Sequence, residues 1–106
     1  MKLLTKPIIE QATKQYKLGA DMNQMVVAKF FNPAGRGTWY LMNMSDNKGT
    51  YCWGIAHIFE HETGSFSIPE LIDLNLPFGL KVERDRYFKP IKASALWDKL
   101  TKTTKE

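Results

Sequence analysis

The chain has 106 residues, 43% of them hydrophobic and 25% charged, with a net charge of +4. That suits one domain with one core, and it is too rich in apolar residues for wholesale disorder. No apolar run approaches the ~18–20 residues of a membrane span, and a lone cysteine, Cys52, excludes an internal disulfide.

The first element reads as a helix. Thr5 is its N-cap, Pro7 sits in the first turn, and Leu4 and Ile9 occupy the two positions of a hydrophobic staple. Ile8, Ala12 and Tyr16 recur at helical spacing, and Gly19 supplies the stop. Residues 25–31 then turn to β-branched and aromatic types, which predicts a strand. A loop over 32–37 leads to a second strand over 38–42, and a polar turn over 45–49 to a third over 50–58. Three strands joined by short turns predict an antiparallel meander.

Ser65-Phe66 reads as a short fourth strand. Ser67-Ile68-Pro69-Glu70 is a capping box that opens a short helix ending near Asn75. Residues 78–83 alternate in part, as a segment rejoining the sheet would. Ala93, Leu96, Trp97 and Leu100 form a helical stripe behind Pro90, and residues 101–106 are expected to fray. The sum is a single α+β domain over residues 1–100: an antiparallel sheet of three to five strands with helices packed on one face. Lys6 follows so closely on Met1 that no signal peptide is expected, and the cysteine usage points to the cytoplasm.

Catalytic signatures are weak. His57-Ile58-Phe59-Glu60-His61 matches the H-x-x-E-H pattern of inverted zinc peptidases, which needs both imidazoles on one helical face. The motif leaves a strand-like run, however, and an extended chain would hold the two rings about 13 Å apart, too far for one ion. No metal is therefore expected. Cys52, between Tyr51 and Trp53, lacks a partnered base and reads as a small buried residue. The carboxylates Glu60, Glu62, Glu83 and Asp85 have no catalytic spacing, and Gly35-Arg36-Gly37 is too short to cradle a phosphate. No catalytic residue and no cofactor are assigned.

Charge and aromatic placement say more. Residues 1–80 hold seven cations against seven anions, whereas residues 81–106 hold eight against four, so the whole excess lies in the last quarter. Lys81, Arg84, Arg86 and Lys89 form its front edge, interleaved with Glu83, Asp85, Tyr87 and Phe88. Such a group suits a phosphate or carboxylate partner, or else pairs internally. Arg36 adds one cation at a hairpin tip. Among the sheet aromatics, Trp39, Tyr40 and Trp53 are candidates for an open face, where rings stack on bases or on a protein partner. Neighbours such as Trp39 and Tyr40 must point to opposite faces.

Several ordered motifs bear a likeness to a known family. They are Met1-Lys2-Leu3-Leu4-Thr5, Lys29-Phe30-Phe31 with Pro33 and Gly35, Thr38-Trp39-Tyr40, Gly64-Ser65-Phe66-Ser67 and Glu70-Leu71. Phe78-Gly79-Leu80, Glu83-Arg84-Asp85, Tyr87-Phe88 and Pro90 continue the set over roughly nine tenths of the chain. Together they resemble the domain of unknown function 2958 family, small bacterial domains carried mainly by plasmids, phages and integrative elements, often near antirestriction genes. The resemblance brings no catalytic residues. It implies a non-enzymatic counter-defence inhibitor, anti-CRISPR-like or antirestriction-like, that binds a host defence nuclease or its guide RNA. The alternative is a nucleic-acid-binding accessory protein for plasmid maintenance or transfer. A small hydrolase using His57, Glu60 and His61 is a third class, which a metal assay would decide.

Overall fold

The computed structural model describes residues 2–102. In chain order they form α1 (Lys6–Lys14), β1 (Met25–Val26), β2 (Ala28–Phe31), β3 (Thr38–Met44), β4 (Cys52–His57) and β5 (His61–Phe66). There follow α2 (Ile68–Asp73), β6 (Glu83–Arg84), β7 (Ile91–Lys92) and α3 (Ala93–Lys102). Strands β2 to β5 make the expected meander and β6 joins the outer side of β2, giving an antiparallel sheet of order β5-β4-β3-β2-β6. The fold is α+β.

The run expected to form one strand over 25–31 is split at Val27, whose N–H is spent on the Leu41 carbonyl at 2.8 Å. Its first two residues pair with β7 in a separate two-stranded ladder, and the remainder pairs with β3 and β6. Strand β3 is buried from Trp39 to Met44, so both faces of the sheet are covered. Trp39 and Leu41 join Ala28, Phe30 and Cys52 in one core, closed by Ala12 of α1 and by Ile68 and Leu71 of α2. Tyr40 and Met42 join Ile55 in a second core, closed by Ala93 and Leu96 of α3 with Trp97 and Leu100 at its margin. A register shift between Leu41 and Asn43 is a β-bulge, and it returns Met44 to the first core. The helices therefore do not share one face. The long apolar run in β3 requires cover on both sides, and α3 supplies the second.

Helix α1 begins as expected, with Thr5 extended at the N-cap and Pro7 in the first turn, but it ends at Lys14. Gln15 turns inward and donates to the carbonyls of Met25 (3.0 Å) and Met42 (2.7 Å), tying the helix end to two strands. Tyr16 then falls in a single 3-10 turn, Tyr16–Leu18, which Gly19 closes at φ 55°. Tyr16 is exposed, not part of a core stripe.

Strand β5 begins at His61, four residues before the expected Ser65. Ser67 Oγ accepts from the Glu70 N–H at 3.4 Å, so the N-cap half of the capping box forms, and α2 stops at Asp73. Of the segment 78–83 only Glu83 rejoins the sheet, together with the next residue, Arg84, and Phe78 instead projects from a short turn. Thr101 and Lys102 close α3, with Thr101 Oγ1 donating to the Trp97 carbonyl at 2.8 Å. The remainder of the tail expected to fray, 103–106, lies outside the described residues.

Candidate binding surface

The basic segment after α2 divides into cations that hold the fold and cations that face solvent. Lys81 Nζ reaches the Leu74 carbonyl at 3.4 Å and Asn75 Oδ1 at 3.3 Å, bracing the turn after α2. Arg84 lies half-buried on β6 and its Nη1 donates to the Lys2 carbonyl, pinning the N-terminal segment to the sheet edge. Asp85 faces Lys29 at 3.8 Å, and Lys29 in turn lies over the Tyr40 ring, 5.8 Å from its centre. Lys81, Arg84 and Asp85 are thus engaged within the fold, Asp85 with Lys29 of β2 in place of an arginine of its own segment.

Arg86 and Lys89 are different. The Asp85 side chain accepts the Tyr87 N–H at 2.9 Å and its carbonyl accepts the Phe88 N–H at 3.3 Å, folding residues 85–88 into a tight turn. Phe88 is drawn in against Tyr40, ring centres 6.1 Å apart. Tyr87 is thrown outward and keeps 87% of its surface exposed, with Arg86 and Lys89, both exposed, on either side in the chain. The turn sits beside the β2–β6 side of the sheet.

The sheet aromatics sort by face. Trp39 and Tyr40 are both buried, one in each core, so neither presents a binding ring. Burial, with Asp85 adding to it, raises the Tyr40 hydroxyl above its ordinary pKa. Trp53 is half-buried and lines a cleft of about 400 Å³ with Tyr16, Tyr51, Asn43, Gly19 and Ala20. Tyr16 and Tyr51 meet edge to face there, 6.4 Å between centres. Asn43 on the floor donates to the Gly19 carbonyl (2.9 Å) and to Gln24 Oε1 (2.8 Å), which fixes its backbone wall. Trp53 Nε1 is buried without a hydrogen-bond partner among the described residues. An unpaired buried donor costs about 1–3 kcal/mol. Sequence reasoning missed Tyr16 here. The helical stripe assigned Tyr16 to a core, and nothing in the sequence marks the inward turn of Gln15 that frees it.

Arg36, at the tip between β2 and β3, lies over the Phe59 ring at the tip between β4 and β5, 5.5 Å from its centre. Cys52 is buried in the first core, donates weakly to the Gly49 carbonyl at 3.5 Å, and is pushed up to about 12 chiefly by burial. A thiol so protonated is a packing group. His57 and His61 are register partners across the β4–β5 hairpin, so the 13 Å separation expected of an extended chain does not apply: the chain reverses between them. Burial, and then the nearby His57, lower the pKa of His61 below the usual imidazole value.

The motifs noted along the chain are spread over the N-terminal segment, the sheet and the turns beyond α2, and one family model accounts for that whole span. A family described as a protein of unknown function (DUF2958) matches residues 3–106. The chain belongs to this family. No curated protein and no solved structure matches the DUF2958 domain described here. Among the described residues no helix is long and apolar enough to cross a membrane.

Proposed function

We propose that this DUF2958 domain is a non-enzymatic counter-defence inhibitor of a mobile genetic element, acting in the bacterial cytoplasm by binding a host defence nuclease or its guide RNA. The observation that carries the reading is the turn at residues 85–88. It holds Tyr87 almost wholly in solvent between Arg86 and Lys89, a disposition that adds nothing to either core. Tyrosine and arginine are the side chains that most often anchor protein interfaces, and a ring flanked by cations also stacks on bases while the cations meet phosphates. The family resemblance to mobile-element domains supports the biological setting.

The test is a plasmid-interference assay in cells carrying a panel of defence nucleases, with affinity capture of the domain from the same cells. Protection by the wild-type domain, lost in an Arg86→Glu/Lys89→Glu protein and in Tyr87→Ala, is the expected result. Protection unchanged in both variants, or no protection with no nuclease or guide RNA captured, overturns it.

The cleft with its edge-to-face tyrosines favours a second reading, a nucleic-acid-binding accessory protein for plasmid maintenance or transfer, since exposed rings stack on unpaired bases. Mobility shifts with single-stranded DNA or RNA decide it. Binding should weaken with salt, and each cation removed from the 86–89 turn should reduce the salt slope by about 0.7 to 0.9. Absence of any shift at low salt removes this reading.

A further inference from the structure

The β4–β5 hairpin closes on two histidines. Residues 58–60 reverse the chain, and His57 and His61 stand opposite each other as the last pair of the ladder. Their rings stack, centres 3.8 Å apart and planes 17° from parallel, and both side chains are half-buried. Among the described residues neither imidazole makes a hydrogen bond. Two polar rings thus share the sheet face of Ile55 without packing into its core or satisfying each other's nitrogens.

Late first-row divalent ions bind imidazole nitrogen at roughly 2.0–2.1 Å, which sets two adjacent ligand nitrogens roughly 3.0–3.4 Å apart. The stack itself is not the liganding arrangement, because each nitrogen's lone pair lies in its own ring plane. To hold one ion the rings must turn about their side-chain torsions, unstack and aim one nitrogen each at a common point. The backbone ladder of β4 and β5 holds both Cα positions opposite each other, so only side-chain rotation, and no backbone rearrangement, is left for the ion to impose.

We propose that His57 and His61 form a bidentate site for a late first-row divalent ion such as Zn²⁺ or Ni²⁺, with water completing the coordination. Imidazole selects these ions over Mg²⁺ and Ca²⁺, which prefer oxygen ligands. No group of three or more His, Cys, Asp or Glu converges among the described residues, so the protein supplies two ligands and leaves the other positions open. Such a site binds more weakly than a closed structural zinc centre, and it accepts an outside donor from a partner. The proposal stands apart from the inhibitor reading, since the hairpin end carries none of the 85–89 turn.

The experiment is calorimetric titration of the whole chain with ZnCl₂ and NiCl₂, MgCl₂ serving as control, at about pH 7.5, where imidazole is neutral. One equivalent of zinc or nickel should bind, and magnesium should not. His57→Ala and His61→Ala should each weaken binding by roughly tenfold or more, while Glu60→Gln, in the intervening turn, should leave it nearly unchanged. Imidazole proton signals of the wild-type protein give a second measurement that needs no variant: substoichiometric Zn²⁺ should shift both histidines together. Absence of saturable binding, a shift at one histidine only, or full affinity in the His61→Ala protein overturns the site.

Discussion

Under α1 and α2 the sheet presents Ala28, Phe30, Trp39, Leu41, Met44 and Cys52, all buried in one core. Under α3 it presents Tyr40, Met42 and Ile55, with the half-buried Trp53 beside them. By register that second face also carries Lys29, His57, His61 and Thr63. The first face is built from groups whose only use is to be out of water. The second mixes core residues with an ion pair, an unpaired indole and two stacked imidazoles, and α3 covers only part of it. Purely apolar packing thus occupies one side of the sheet, and packing mixed with polar groups the other.

The hardest way to break the arrangement is at the seam between the faces. The bulge in β3 presses its backbone onto Gly54 of β4, where a methyl group would run into the Tyr40 carbonyl oxygen. Backbone does not yield as a side chain does. Gly54→Ala should therefore destabilise by more than about 3 kcal/mol, read as loss of soluble expression or of a cooperative urea transition. A near-native transition would show that the two central strands can part without loss.

The faces themselves are compared by truncation. Phe30 is fully buried in the first core, and Phe30→Ala should cost about 3–5 kcal/mol. Leu96 of α3 keeps 8% exposure, and Leu96→Ala should cost about 2 kcal/mol, the low end for such a change. Cys52 offers an independent readout, because its buried, protonated thiol reacts only when the first face opens. Alkylation should accelerate far more in the Phe30 variant than in the Leu96 variant. Equal acceleration would mean that the two cores open as one unit.

Much of this was legible in the sequence, for physical reasons. The meander follows from β-rich runs separated by Asn, Pro, Gly and Asp, and the start of α2 from the Ser67 N-cap and Pro69 behind it. The second helical layer departs from the expected single helical face, although its signal stands in the sequence. Trp39-Tyr40-Leu41-Met42 is an uninterrupted apolar run, and such a run needs cover on both faces. The histidine pair was hidden, because Ile58-Phe59-Glu60 contains none of the residues that announce a turn, and spacing alone measured the wrong distance. The division of the basic segment was hidden as well. Arg84 and Arg86 are alike in sequence, and only the pairing of β6 with β2 turns one inward and leaves the other out.

Polar burial gives a smaller effect that sharpens the comparison. Gln15 joins the end of α1 to Met25 and Met42, and its Oε1 also accepts the Met25 N–H at 3.2 Å. Gln15→Leu keeps the bulk and leaves those backbone groups unpaired. The expected loss is about 1–3 kcal/mol, measured by urea unfolding. It should also loosen Tyr16, and with it the wall of the aromatic cleft, visible as a change in tyrosine fluorescence. An unchanged urea midpoint would show that water replaces the glutamine amide.

The smallest effect is expected at the turn between β3 and β4, where Asp46 Oδ1 accepts the N–H of Lys48 at 3.1 Å and of Thr50 at 3.0 Å. The bonds from Thr50 lead in holding this carboxyl below its ordinary pKa of 3.8. A depressed carboxylate means that the unfolded chain binds its proton first as acid is added. Its stabilising contribution is therefore complete above the unfolded value and is lost as pH falls through the folded one. Asp46 is fully exposed, so solvent screens the effect. Asp46→Asn keeps an acceptor and removes the charge. Its urea midpoint should fall less than that of the wild type between about pH 6 and about pH 2. Parallel falls would assign the acid sensitivity to other carboxylates and leave the turn to backbone geometry alone.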